Sequence, residues 1–285
     1  MKKSKKDRLF TAGLILMLLA GLSLLLYPSV SNYLNSVRQA QSILTYDNEV
    51  AALRQEDYQR LRQQAEEYNV SLLDRPSPYG LTDAQQTLYP TTLLAGGSDV
   101  MAYLEVPSIG VTLPICHGTE TSTLQKAVGH LEWSSLPTGG EGTHCVLSGH
   151  RGLPSARLFT NLDRLTEGDT FVIRVLDEVM TYEVDQILIV EPEDVSALQI
   201  EPGQDLCTLV TCTPYGINTH RLLVRGHRVE NQSEAIRVTS DAIRIEPLIV
   251  APIAALPVLL VLVLVLMLPG RKKKSSGGND NAENS

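Results

Sequence analysis

Thr208-Leu209-Val210-Thr211-Cys212, followed nine residues on by Arg221, decides how this chain is read. Thr208, Val210 and Cys212 share one face of a strand by alternation, and Leu209 and Thr211 take the other. Thr213-Pro214-Tyr215-Gly216 breaks the strand, because proline donates no ladder bond and glycine tolerates a turn. A second strand-like run, Arg221-Leu222-Leu223-Val224-Arg225, follows. A thiol closes one strand and a guanidinium opens the next, as a nucleophile with a fixed cation for developing negative charge requires. Taken alone the pair has a plainer explanation, since a strand cysteine is usually a small buried hydrophobe and such an arginine a solvated charge. The run Leu147-Ser148-Gly149-His150-Arg151-Gly152 shifts the balance, because an apolar strand there ends at glycine with a histidine at its tip. Cys212, His150 and Arg221 at the ends of three separate strands form the layout of a cysteine acyl-transfer site.

The surrounding chain has the matching texture. From Asp99 onward, short strand-like runs cover Val100–Val106, Val111–Cys116, His144–Leu147, Thr170–Leu176, Met180–Val190, Leu206–Thr211 and Arg221–Val229. Pro107-Ser108, Gly139-Gly140, Gly168-Asp169 and Asp177-Glu178 punctuate them. Seven or eight short strands with one or two helical crossovers imply a mainly β chain closed, or nearly closed, into a barrel.

The motifs resemble those of the sortases, cysteine transpeptidases of Gram-positive cell surfaces. Thr208–Cys212 matches that family's T-L-x-T-C motif, and His150, Cys212 and Arg221 fall on its catalytic histidine, cysteine and arginine in the same order. Gly129-His130-Leu131-Glu132, Ser135-Leu136-Pro137, Thr143-His144, His150-Arg151-Gly152-Leu153-Pro154 and Leu158-Phe159-Thr160 are similar to the class C, pilin-polymerising branch. The resemblance implies an eight-stranded barrel over residues 98–230. It also implies a substrate, a Leu-Pro-x-Thr-Gly (LPxTG) sorting signal cut after threonine. The acceptor it implies is a lysine amine on another pilin subunit. A peptidoglycan-precursor amine is the alternative acceptor, as in wall anchoring, and a non-catalytic pilin-binding barrel is the alternative outside enzymology.

Two stretches stand apart from the barrel. Leu9–Tyr27 is 19 residues without a charge, and Leu248–Leu268 is 21. Each is near the ~20 apolar residues that span hydrocarbon as a helix. Lys2, Lys3, Lys5, Lys6 and Arg8 flank the first (residues 1–8), and Arg271, Lys272, Lys273 and Lys274 flank the second within a polar tail at 269–285. The positive-inside rule then places both termini in the cytoplasm and the middle outside, in a two-pass cell-membrane protein in contact with the lipid bilayer. A cleaved signal peptide ending near Ser29-Val30-Ser31 is the rival for the first span, but the apolar run exceeds the usual h-region and Pro28 adjoins the site. An uncleaved anchor is preferred. Between the tails lie 15 Lys and Arg against 29 Asp and Glu, net −14, which excludes nucleic acid as a partner.

Residues 29–97 form the approach to the barrel. Helix is expected over 31–70, with Val50, Leu53, Asp57-Tyr58 and Leu61 as a stripe at three-four spacing. Such a helix is either a stalk or a clasp packed on the domain. Residues 74–79, Asp-Arg-Pro-Ser-Pro-Tyr, cannot be helix interior and read from the residues alone as an irregular, partly rigid linker. In class C sortases this region carries a lid whose Asp-Pro-aromatic motif lies over the active site. Pro78-Tyr79 fits the last two positions, whereas Ser77 stands in place of the aspartate and leaves Asp74 or Tyr79 to anchor the segment. Residues 231–247 read as a linker.

Among the cysteines, Cys207 should face away from Cys212 on one strand. Cys116 and Cys145 stay open between buried thiols and one disulfide. No zinc spacing, P-loop, dinucleotide fingerprint or carboxylate dyad occurs, so neither a cofactor nor a metal is expected. His117, His130, His144, His220 and His227 read as structural or surface residues.

Overall fold

Runs rich in β-branched and aromatic residues become eight strands in a computed structural model that describes residues 5–73, 75 and 77–231. They are β1 (Val100–Val106), β2 (Val111–His117), β3 (Val128–His130), β4 (Thr143–Ser148), β5 (Thr170–Val175), β6 (Glu178–Val190), β7 (Asp205–Thr213) and β8 (His220–Val229). Their order is β1-β2-β3-β4-β7-β8-β6-β5, and β5 pairs back onto β1 to close the barrel. The pairs β2–β3 and β4–β7 are parallel and the other six antiparallel. The expected strands are all present with ends moved by a residue or two. The additional strand is β3, whose three residues are too few to show a period.

Alternation along the strands separates two apolar layers. Leu104, Ile115, Leu147, Phe171, Ile173, Leu209 and Val224 fill the barrel interior, where Phe171 and Tyr182 stack at 5.5 Å. On the outer face of β4, β7 and β8, Val146, Val210 and Leu223 pack with Leu198 in a second cluster. Cys212 shares the outer face with Val210, and Cys207 lies in the interior, as the alternation requires. All four cysteines are free thiols, which closes the disulfide alternative for Cys116 and Cys145. Cys145 instead stands opposite Cys207 in the β4–β7 register, and burial pushes the Cys207 thiol well up.

The described residues fall into two units, one up to Leu26 and one from Tyr27 onward. Helix α1 (Lys5–Ala51) runs through Pro28, and its apolar stretch from Leu9 is long enough to cross a membrane by length and composition. The span expected at 248–268, the tail expected to be cytoplasmic at 269–285 and all but the first residue of the expected 231–247 linker lie outside the described residues. Helix α2 (Gln55–Ser71) begins after a break at residues 52–54, so the stripe expected over 31–70 is divided between two helices. No glycine or proline marks that break.

From residue 32 on, this approach segment is a clasp packed on the barrel. The Arg157 N–H donates to Asn32 Oδ1 (2.9 Å), Asn35 Nδ2 to the Ser155 carbonyl (3.0 Å) and Gln39 Nε2 to the Lys126 carbonyl (2.8 Å). The fully buried Tyr46 hydroxyl donates to Met101 O (3.0 Å) and accepts from Leu176 N (2.6 Å). In α2, Leu61, Ala65 and Tyr68 are buried, and Tyr68 Oη donates to Glu132 O at 2.5 Å. Asn69 accepts from Leu136 N (2.7 Å) and donates to Thr138 Oγ1 (2.9 Å). A short helix α3 (Asp83–Leu88), closed by a Thr82/Gln85 capping box, leads back to β1.

Candidate active site

The strand order puts β7 between β4 and β8, and this brings together three residues far apart in sequence. Cys212 on β7 is the register partner of Arg221 on β8, and Arg221 is in turn the partner of Val190 on β6. Directly opposed residues of an antiparallel pair hold their Cβ atoms about 4.5–5.5 Å apart, so thiol and guanidinium leave the sheet side by side. His150 arrives from the end of β4. Its neighbour Gly149 donates its N–H to Val210 O (3.0 Å) and accepts from Thr211 Oγ1 (2.7 Å), which stitches the β4 exit to β7 just before Cys212. The His150 carbonyl accepts from Phe159 N (3.1 Å), and the buried Phe159 ring lies against Gly149 where a side chain would be.

Cys212, His150 and Arg221 line one cleft of about 340 Å³ and are each partly exposed. Apolar side chains, Leu124, Leu131, Val195, Leu198, Val210 and Leu223, make most of its wall. Arg221 Nη1 donates to the His220 carbonyl (3.2 Å), and among the described residues no carboxylate bridges its guanidinium. A fixed cation beside a thiol and an imidazole can hold an oxyanion while protons move between sulfur, nitrogen and substrate.

The remaining polar groups brace this constellation. Arg151 donates to Thr213 Oγ1 (3.2 Å) and Asp163 (2.6 Å) and lies 5.9 Å from the Tyr215 ring centroid, tying the His150 loop to the β7–β8 connection. His144 is buried between Gln199 O and Thr208 Oγ1, both at 2.7 Å, and burial draws its pKa below the ordinary imidazole range. His130 lies between Tyr89 Oη (3.0 Å) and Ser135 O (2.8 Å), also buried.

Of the segment expected as a lid, Pro78 and Tyr79 lie beside the cleft of Cys212 and do not line it. Tyr79 meets Trp133 edge-on at 5.3 Å and accepts a hydrogen bond from Gln199 Nε2 at 3.1 Å. Pro78 and Tyr79 line a neighbouring cavity of about 200 Å³, which shares Leu198 with the cleft of Cys212. Ser77 has no charge to offer Arg221, and its Oγ accepts locally from Tyr79 N at 3.5 Å. Asp74 is outside the described residues. Sequence reasoning missed Gly149, Thr211, Phe159 and Asp194 as parts of the site. For Asp194, which lines the cleft, the signal was the Asp194-x-Ser196 spacing after Glu191-Pro192-Glu193.

The Sortase domain family model matches residues 104–229. A solved sortase C1 from Streptococcus agalactiae is 47% identical, covering 67% of this chain and 100% of its own, with a TM-score of 0.65. A sortase C from Clostridium perfringens, solved with the C-terminal cell wall sorting motif, is 40% identical over 67% of this chain and 100% of its own, with a TM-score of 0.60. Sortase D of Bacillus subtilis is 33% identical over 129 residues, which are 44% of this chain and 62% of that protein. The chain thus spans less than two thirds of that relative's length.

Proposed function

The chain belongs to the sortase family, and from that membership we propose that it is a membrane-anchored transpeptidase of pilus assembly acting through Cys212. The observation that carries the proposal is the convergence of Cys212, His150 and Arg221 on one cleft. The sorting motif bound by the Clostridium perfringens relative supports a Leu-Pro-x-Thr-Gly signal as substrate. The class C likeness supports a pilin lysine as acceptor.

In the first half-reaction the Cys212 thiolate attacks the carbonyl carbon of the threonine. Arg221 hydrogen-bonds the oxyanion. As the C–N bond breaks, protonated His150 gives its proton to the departing glycine amine, leaving a thioester. In the second half-reaction an amine nitrogen attacks the thioester. His150 takes the proton, the C–S bond breaks, and the thiolate returns with an isopeptide as product.

Residues 98–230 are the catalytic barrel in this proposal and residues 29–97 its clasp. The spans at 9–27 and 248–268 anchor it with both termini cytoplasmic and the cleft outside. The Ser77–Tyr79 segment is proposed to flank the cleft and leave Cys212 open.

The test incubates the full chain in detergent micelles with a pilin subunit bearing the signal, and products are read by intact mass. A thioester on Cys212 plus a ladder of lysine-linked pilins is the expected outcome, and Cys212→Ala should abolish both. A thioester resolved only by peptidoglycan-precursor amines would move the function to wall anchoring. A ladder that survives Cys212→Ala would refute catalysis by this thiol.

A further inference from the structure

Among the described residues lining the cleft, Asp194 is the sole carboxylate. It sits on the loop that leaves β6 at Val190, the residue paired with Arg221. The loop is pegged at both ends of the turn, by Asp194 N to Glu191 O (3.1 Å) and by Leu198 N to Val195 O (3.0 Å), with Leu198 buried in the cleft wall. Asp194 Oδ1 accepts from Ser196 N (3.1 Å) and Ser196 Oγ (2.6 Å), whereas Oδ2 has no protein partner among the described residues. Those bonds from Ser196 hold the carboxyl below its ordinary range, so it is ionised at neutral pH.

The second half-reaction creates a need for such a group. A lysine acceptor is an ammonium at neutral pH, with an unperturbed pKa of about 10.4. It must come up to Cys212 along a wall that is mostly apolar and already holds the Arg221 cation. Losing hydration there without a counter-charge is unfavourable. The leaving and entering amines also differ: the glycine amine is released from an amide, whereas the lysine brings its charge in from solvent.

We propose that Asp194 docks the acceptor amine, its free Oδ2 receiving the lysine ammonium at the mouth of the cleft before transfer to the thioester. The inference rests on the transpeptidase function proposed above and assigns one residue to its acceptor step. The docked ammonium releases one proton to water. The free amine then attacks the thioester carbonyl, a second proton passes to His150, and the C–S bond breaks with the electron pair leaving on Cys212 Sγ. Asp194 takes no proton in this sequence, because its carboxyl is too weak a base.

Asp194 Oδ1 also holds Ser196 at the start of the turn Ser196–Leu198, and the test must separate that role from docking. Asp194→Asn keeps an accepting oxygen and removes the charge. The full chain in micelles is loaded with sorting-signal peptide, and the thioester is partitioned between a lysine-bearing peptide and hydroxylamine, which is uncharged near neutral pH. With each protein read on its own thioester, Asp194→Asn should raise KM for the lysine peptide about two- to fivefold relative to KM for hydroxylamine, because an exposed carboxylate holds an ammonium only weakly. Asp194→Glu should restore most of the difference. If KM for both acceptors rises together, or for neither, docking by Asp194 is overturned while the transpeptidase function stands. If the parent forms no thioester, both are overturned.

Discussion

Substituting Gly149 by alanine should damage catalysis through a contact made by neither Cys212 nor His150. A Cβ at Gly149 would stand 2.6 Å from Cδ2 of Phe159, 2.9 Å from Cγ and 3.0 Å from Cε2. Phe159 is fully buried and cannot swing out of the way. Overpacking of this kind costs about 1–3 kcal/mol, which for a domain of this size lowers Tm by about 3–10 °C. The backbone that must yield is the one carrying His150, held to β7 by the Gly149–Val210 and Thr211–Gly149 hydrogen bonds. A displacement near 1 Å at a catalytic group can cost about 100-fold in rate. The assay pairs thermal unfolding with thioester formation from sorting-signal peptide, in Gly149→Ala, Phe159→Leu and the double variant. Phe159→Leu removes the ring atoms that clash, so the double variant should recover at least about 1 kcal/mol relative to the sum of the singles. A Gly149→Ala protein with parent Tm and rate, or strictly additive double-variant effects, would refute the reasoning.

Other expectations follow from the same geometry. Thr211→Val strands the buried Gly149 carbonyl and should lower stability by about 1–3 kcal/mol in urea titration, with a slower first half-reaction. Arg221→Lys replaces a planar fork with a point charge and should cost about 100-fold in kcat/KM while Cys212 remains open to thiol labelling. Burial, with His130 beside it, draws the His117 imidazole down to about 4 from 6.5. The unfolded chain therefore binds the proton more readily between those values. Stability is complete above pH 6.5 and falls by up to about 3 kcal/mol as pH drops toward 4. His117→Gln should flatten that part of a pH–stability curve measured by denaturant midpoint.

What the sequence made legible was local. Strand runs bounded by glycine and proline were visible because their alternation and breakers lie within a few residues of each other. The nine-residue step from Cys212 to Arg221 around Pro214 and Gly216 already implied a hairpin that would oppose them. The approach of His150 was not so readable, because it depends on parallel pairing of β4 with β7 and on a hydrogen bond between residues 62 apart. The same pairing sets Cys145 against Cys207, a juxtaposition no spacing rule foretells. Irregular backbone at residues 75 and 77–79 was foreseeable from the prolines of that stretch. Its resting place was not, since that is decided by Trp133 and Gln199 in distant loops. Composition likewise gave no sign of the break at residues 52–54, where tertiary contacts of Tyr46 and Tyr68 on either side fix two helix directions.

Closure of the barrel by β5 on β1 also limits how a peptide can be recognised. Many proteins that bind extended segments lend them a sheet edge, and main-chain pairing then supplies affinity with little regard to sequence. Every described strand has a paired neighbour on each side along part of its length, but β6 beyond Glu183 pairs only with β8. If the chain acts on a sorting signal as proposed, a signal lying over β7, which is paired with β4 on one side and β8 on the other, is read through its side chains and one reactive carbonyl. Discrimination there falls to pocket shape, because a strand already paired on both sides is no template for a stray one.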